Sequence, residues 1–407
     1  MKVWFINQYA TSPHSVGGNR PFSLCRELVA RGHEVVLVCS TFNHLTRLDE
    51  FPEKTWTYAT QTIDGVRFLW IAGPSYQTND LRRVRNMADF TRRLFALKDA
   101  EARLGRPDVI VGSTPHLLVP FGAERLAAAF NVPFVLEVRD IWPASIVELH
   151  GMHRAHPVVL TLGALERHVS LRAAQIVSVL PGGVEHLEEI GVDPARVTWI
   201  PNGVDFGLVP EPTDPPDDDV LTLMFAGSHG ASDGLEVMIE AAALLEVGDG
   251  AGRLRWRFIG NGPQKAALIE QTERLGLMNV TFEDAVPKGQ IYGLLSEADA
   301  FIVTVRDEPL YRFGVSFNKF YDYMAMARPT IVAIDSPWNP FLQSHSGITV
   351  RPDDPEAFAA GVRELLAMSR EDRAAMGARG LAFVREAHDL HRLGGDLEAV
   401  LVRAVSP

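Results

Sequence analysis

The segment from Tyr311 to Ala325 gathers the residues best arranged for chemistry. Ser316 can cap a helix running to Ala327, which leaves the amides of Phe317, Asn318 and Lys319 free to meet an anion. Lys319 puts a positive charge at that helix start, where the dipole disfavours it unless something negative binds. Asp322 follows at i+3 on the same face, placed to accept hydrogen bonds from ribose hydroxyls. A surface lysine and aspartate forming a weak helix pair is the other reading of this spacing.

Three glycine turns fit the same chemistry, because a turn without side chains lets backbone amides approach a phosphate. Gly17 and Gly18, followed by Asn19, precede a helix in the first half; an ordinary loop is the alternative there. Gly227 and Ser228 follow a strand in the second half, and Gly260-Asn261-Gly262 follows the next one. Together the last two describe a lobe that holds a nucleotide diphosphate with its backbone. None completes a Gly-x-Gly-x-x-Gly, so the nicotinamide fingerprint is absent. In Glu137-Val138-Arg139-Asp140-Ile141-Trp142-Pro143 a strand ends in charge. Arg139 and Asp140 there are placed either to meet a sugar and its leaving phosphate or to form a structural ion pair.

These turns need strands to present them. Short apolar runs at Lys2–Tyr9, Glu34–Cys39, Val66–Ile71, Asp108–Gly112, Phe134–Val138, Ile176–Leu180 and Val197–Pro201 form one series. Leu221–Ala226, Trp256–Ile259, Val280–Glu283, Ala300–Val305, Thr330–Ile334 and Ile348–Val350 form a second. Runs rich in Val and Ile suit strands buried on both faces of a parallel sheet. Helical patterns such as Phe22–Arg31, Glu236–Leu245, Gln264–Leu275 and Pro355–Met368 lie between them. The expected fold is α/β, doubly wound, and repeated. The polar, proline-rich stretch Pro210–Asp219 reads as the hinge. Its Asp217-Asp218-Asp219 run formally contains an Asp-x-Asp metal pattern, but within a solvated linker. The domains are therefore 1–208, 209–384, and a helical tail 385–407 packing back on the first lobe.

The chain has 407 residues, 46% hydrophobic and 22% charged, with net charge −12. That excludes disorder and argues against a general nucleic-acid binder. Cys25 and Cys39, both in apolar patterns, read as buried free thiols. The four-residue run Val3–Ile6 is too short for a secretory leader, and no stretch reaches the ~18–20 apolar residues that span a bilayer. The expectation is a cytoplasmic protein, soluble or peripheral on the inner leaflet.

In order and spacing, Gly17-Gly18, Arg31-Gly32-His33-Glu34-Val35, Arg139-Asp140-Ile141-Trp142-Pro143, Pro201-Asn202-Gly203-Val204-Asp205, Gly260-Asn261-Gly262-Pro263, Gly314-Val315-Ser316 and Asn318-Lys319 through Met324-Ala325 resemble the family-four glycosyltransferases of the GT-B fold. Within these the chain looks most like the cell-surface polysaccharide branch typified by L-fucosamine transferases. The resemblance implies two Rossmann-like lobes facing a central cleft, the first for the acceptor and the second for the donor. It implies retaining transfer of a sugar from a nucleotide diphosphate, usually UDP, to a hydroxyl, with no metal. Asp322 falls on the second acidic position of the family's Glu-x7-Glu motif. The first falls on Gly314, a departure. Members with Arg and Lys after the first strand of the second lobe hold the diphosphate there. Here Ser228 and His229 supply neither, so Lys319, or less readily Arg312, takes that charge. Val286 falls where relatives contact the base through the backbone.

Leu81–Lys98 carries Arg82, Arg83, Arg85, Arg92, Arg93 and Lys98 against Asp89 and Leu81, Val84, Phe90, Leu94, Phe95 and Leu97 as apolar positions. Such a helix suits an anionic leaflet and a lipid-diphosphate acceptor, or packs on its own sheet. Other functions for two such lobes are a UDP-N-acetylglucosamine 2-epimerase, a nucleotide-sugar sensor, and a nicotinamide oxidoreductase, which the missing fingerprint disfavours.

Overall fold

The structure, a computed structural model, describes every residue except 14, 16–19, 79, 115, 213–219, 248, 249 and 407. The chain folds as two compact units, Met1–Asn202 joined by the residues from Leu390 onward, and Gly203–Asp389.

The first unit is built on an eight-stranded sheet: β1 Lys2–Ile6, β2 Glu34–Ser40, β3 Tyr58–Ile63, β4 Val66–Ile71, β5 Val109–Ser113, β6 Phe134–Val138, β7 Gln175–Ser178 and β8 Val197–Trp199. Their order is β3-β4-β2-β1-β5-β6-β7-β8. All neighbours are parallel except β3 and β4. Val3 to Ile6 are fully buried, as a central parallel strand with helices on both faces requires. The strand stops short of the expected Tyr9 because the Asn7 side chain accepts from the Tyr9 amide at 2.9 Å and turns the chain. Sequence reading missed β3. Its Tyr-Ala-Thr-Gln-Thr-Ile is mostly solvent-facing and lacks an apolar run. The available signal was Asp64-Gly65, whose φ angles of 48° and 79° make the mirror-image turn that tight hairpins use.

The second unit has six parallel strands: β9 Leu221–Ala226, β10 Leu254–Ile259, β11 Val280–Glu283, β12 Ala300–Thr304, β13 Thr330–Ala333 and β14 Gly347–Val350. The order β11-β10-β9-β12-β13-β14 is that of a six-stranded doubly wound sheet.

The division between units falls a few residues from the expected 208/209 and 384/385. Val204 is buried in the second unit's core, its amide donates to His388 O at 2.8 Å, and it bridges to Asp389. Only from Leu390 does the last helix, Leu390–Val405, send Leu393, Leu397, Val400 and Leu401 into the first unit's core. The expected hinge and its Asp217-Asp218-Asp219 run lie mostly outside the described residues, which omit 213–219. Cys25 and Cys39 are buried free thiols, and burial pushes both well above the usual thiol range. Among the described residues no helix is long and apolar enough to cross a membrane.

One buried ion pair ties the first unit together. Arg20 Nε donates to Glu137 Oε1 at 2.9 Å, with both side chains 2% exposed. Arg20 also donates to the carbonyls of Ile200, at 2.7 Å, and Pro201. Ser113 Oγ donates to Glu137 Oε2 at 2.6 Å and accepts from Asn7 at 2.8 Å. The network joins the ends of β1, β5 and β6 to the chain leaving β8. Glu137→Ala leaves a buried guanidinium unpaired and is expected to destabilise this unit by about 3–5 kcal/mol, measured by calorimetric melting. A loss below about 1 kcal/mol would put the pair on a par with surface pairs.

Candidate functional site

In the second unit, strand order reverses between β9 and β12, and a cavity of about 350 Å³ opens at their carboxyl ends. Gly227, Ser228, Phe317, Asn318 and Lys319, all singled out from sequence, line it. Ser232, Asp233 and Val305 complete the lining and were not anticipated. Val305 is the residue after β12, so the cavity sits at the topological switch point where doubly wound sheets take ligands.

Gly260 and Gly262 are not among its lining residues, and their role is different from the one expected. A Cβ on Gly260 would stand 1.8 Å from Gly227 O, and one on Gly262 would stand 2.4 Å from His229 O. Their missing side chains let the β10 turn nest against the β9 turn. The Gly227 amide donates to Ile259 O at 2.9 Å and the His229 amide to Asn261 O at 3.1 Å. Lys265 fastens the arrangement from below, its ammonium donating to Gly260 O, Asn261 Oδ1 and Asp284 Oδ1 at 2.9, 3.0 and 2.7 Å. His229, fully buried between the turns, has neither ring nitrogen hydrogen-bonded among the described residues. Burial, aided by the Lys265 charge, pushes its pKa down to about 4, so the ring is neutral at pH 7.

Lys319 points into the cavity wall. Its ammonium lies 2.5 Å from Asp233 Oδ1 and above the rings of Phe225 and Phe317, 4.7 and 5.5 Å from their centroids. The side chain is 13% exposed, so this cation is held in one place and largely stripped of water. Arg312 turns away, donating to Pro309 O at 2.6 Å and covering the Phe313 ring. Ser316 is not the cap. The helix runs Asn318–Ala325, Phe317 stands at its N-cap, and no side chain caps it. Gly314, at φ 89°, closes the preceding turn, and Phe317 keeps an extended backbone, so the helix begins one position later than the sequence suggests and stops short of Ala327. The start of this helix therefore faces the cavity without a side chain competing for its amides.

Asp322 is buried, and its carboxylate is engaged on both oxygens. Tyr292 Oη donates to Oδ1 at 2.7 Å and Lys288 Nζ to Oδ2 at 2.5 Å. A carboxylate has about four acceptor directions, so capacity for further hydroxyls remains. Burial and the neighbouring Asp322 charge push the Tyr292 hydroxyl far up. Val286, half-buried, lies between β11 and the helix that Lys288 opens. Sequence reading missed Lys288, Tyr292 and Asp233 because their partners lie tens of residues away along the chain.

In the first unit, Gly17, Gly18 and Asn19 lie outside the described residues. Arg139 and Asp140 follow β6, and the Arg139 amide donates to Thr114 Oγ1 at 2.8 Å. Asp140 is exposed. Among the described residues no ion pair joins Arg139 to Asp140, and the third charge of the run, Glu137, pairs with Arg20. The basic helix, Leu81–Phe95, divides its apolar residues. Phe90 and Leu94 are buried, whereas Leu81 is 83%, Val84 54% and Phe95 47% exposed beside Arg82, Arg85 and Arg92.

The glycosyl transferase 4-like domain family matches residues 18–203, and the glycosyl transferases group 1 family matches residues 221–368. No curated protein matches the sequence. Among solved structures, sucrose-phosphate synthase from Thermosynechococcus elongatus is 16% identical with a TM-score of 0.75, over 99% of this chain and 98% of that one. Anabaena HepE, solved with UDP and glucose, is 14% identical with a TM-score of 0.68, over 99% of each chain. WaaG, a glycosyltransferase involved in lipopolysaccharide biosynthesis, is 15% identical with a TM-score of 0.69, over 98% of this chain and 99% of that one. Both halves are thus matched in order along two doubly wound units, and the chain belongs to the group 1 glycosyltransferases of the GT-B fold.

Proposed function

We propose that the protein moves a sugar, an N-acetylated amino or deoxy sugar, from a UDP-sugar to a hydroxyl acceptor with retention of configuration. The observation that carries this reading is the cavity at the β9–β12 switch point, where a desolvated Lys319 and an uncapped helix start converge. UDP in the similar HepE structure supports uracil as the base. In the free protein Asp233 balances Lys319; a diphosphate arriving at the helix start would share that cation. Lys319, with the amides of Ser228, Phe317 and Asn318, would stabilise the departing diphosphate beside the bare Gly227 backbone, so no metal is required. Ser316, Gly260, Asn261 and Gly262 serve by holding those turns. Asp322 would accept from the ribose hydroxyls, steered by Lys288 and Tyr292, and the Val286 backbone would meet the base. In the first unit Arg139 and Asp140, with Gly17, Gly18 and Asn19, would contact the transferred sugar.

The acceptor belongs to cell-surface polysaccharide, glycolipid or glycosylated-metabolite synthesis, in the manner of the fucosamine transferases. A lipid-diphosphate acceptor fits the exposed Leu81, Val84 and Phe95 among Arg82, Arg85 and Arg92, a combination suited to the anionic inner leaflet. The family match leaves the epimerase, sensor and oxidoreductase readings without support.

Calorimetric titration with UDP, GDP, TDP and ADP tests the donor. UDP is expected to bind best, and Lys319→Ala to weaken it at least about tenfold and to lower turnover by ~10²-fold or more. No binding by any of the four nucleotides would remove the donor site. Asp322→Ala separates ribose from diphosphate recognition: UDP is expected to weaken about tenfold while inorganic pyrophosphate holds its affinity. Equal losses for both would move Asp322 out of ribose contact.

A further inference from the structure

The two central strands of the second unit part before either ends. β9 pairs with β12 at Leu223–Ala300 and Met224–Phe301, whereas on its other side it follows β10 as far as Ala226–Ile259. Successive residues of a parallel strand turn their backbone groups to opposite edges. Leu221 and Gly227 face β10, their amides donating to Arg253 O and Ile259 O at 2.9 Å. Thr222 faces β12, its carbonyl accepting from the Asp299 amide at 3.0 Å. Ala226 therefore presents its N–H and C=O to the side that β12 has left, directly before Gly227 and Ser228 of the cavity wall.

One side chain satisfies both groups. Tyr323 Oη accepts from the Ala226 amide at 2.8 Å and donates to Ala226 O at 3.0 Å. The hydroxyl stands in for a strand residue at the point where the ladder opens. Tyr323 is 1% exposed, and its ring stacks on Phe301 of β12 with centroids 4.2 Å apart at 10°. Burial pushes the phenol far above its ordinary range, so the oxygen keeps its hydrogen and both of its roles at neutral pH. A strand at this position would fill the gap. A hydroxyl closes the backbone and leaves the space above it open.

Tyr323 belongs to the helix Asn318–Ala325, where it lies at i+4 from Lys319 and so on the same face. That face meets the end of β9. Lys319 Nζ lies 4.7 Å from the Phe225 ring centroid, and a Cβ on Gly227 would stand 3.5 Å from Lys319 Cδ. The lysine stem thus passes over Phe225 and Gly227 while the tyrosine one turn on holds Ala226 between them. The distance from the helix to the Gly227–Ser228 turn is set by the reach of one aromatic ring.

We propose that Tyr323 is a positioning residue of the donor site: its hydroxyl completes the β9 ladder at the switch point and so fixes the spacing between Lys319 and the Gly227–Ser228 turn for a diphosphate. The assignment rests on the transferase reading of the cavity. Tyr323 acts through the Ala226 backbone and not on the ligand itself. Without the hydroxyl, two backbone groups in a site closed to water lose their partner, and the turn relaxes toward other donors and acceptors.

The test compares UDP binding to the unmodified protein, to Tyr323→Phe, and to a variant with 4-aminophenylalanine at this position, which returns a donor and a lone pair to the same end of the ring. Tyr323→Phe keeps the ring and its stack on Phe301. It is expected to weaken UDP at least about tenfold, and the amino variant to recover affinity to within about threefold. Hydrogen exchange at the Ala226 amide is expected to rise at least about tenfold in Tyr323→Phe, with the β10-facing amides of Phe225 and Gly227 unchanged. A loss of UDP affinity below about threefold overturns the proposal. So does a loss that the amino variant leaves in place, which assigns the effect to ring packing. Faster exchange at all three amides means a loosened strand and overturns it as well. An unmodified protein that binds no UDP removes the donor reading and the positioning role with it, while the exchange result still reports whether the hydroxyl completes the ladder.

Discussion

A parallel sheet whose strand order reverses cannot close its own carboxyl edge at the reversal. The helices leaving the two central strands go to opposite faces, and the gap between them is open by construction. Both units are built around this constraint, at β1 and β5 in one and at β9 and β12 in the other. The rest of each unit works to hold the two central strands and their turns still. In the first, Arg20 and Glu137 lock strand ends from inside. In the second, glycine turns nest one against the other and Lys265 pins them.

The two gaps are furnished differently. In the second unit charge is concentrated in one cation, Lys319, held between Asp233 and two aromatic faces. In the first unit it is spread over Arg83 and Arg139, whose charges both reach His44. Three histidines, the buried His116 and His229 and the half-buried His44, are all pushed down to between about 3 and 4, chiefly by loss of water around the ring. None serves as a charge near neutral pH. Each is a polar ring with a fixed tautomer or open nitrogens, which makes hydrogen-bond geometry their contribution.

Much of this architecture was legible in the sequence, because strands buried on both faces announce themselves as apolar runs. Val66–Ile71, Phe134–Val138, Leu221–Ala226 and Val280–Glu283 have the bounds their patterns suggest. Strand Tyr58–Ile63 faces solvent and gave no such run. The cavity's Gly227, Ser228, Phe317, Asn318 and Lys319 were readable because local rules, a turn after a strand and a cation at a helix start, single them out. The Asp233 partner and the Lys288–Tyr292–Asp322 cluster were not, since each joins residues far apart in sequence. Gly260 and Gly262 were readable as special but not for the right reason: a glycine pattern looks the same whether a ligand or another turn presses against it. The Ser316 cap failed by one position, because local propensity does not report the turn that Gly314 imposes.

The path of the chain has one more consequence. The second unit is a single uninterrupted stretch, Gly203–Asp389, inserted into a first unit that resumes at Leu390. Its two ends leave side by side, since Val204 and Asp389 are bridged. A module with adjoining ends and its own core can be lifted out and replaced without rethreading its host. Recombination at these two points would exchange the second unit as a cassette while the first keeps its sheet and its closing helix, a route by which one scaffold acquires a new switch-point cavity.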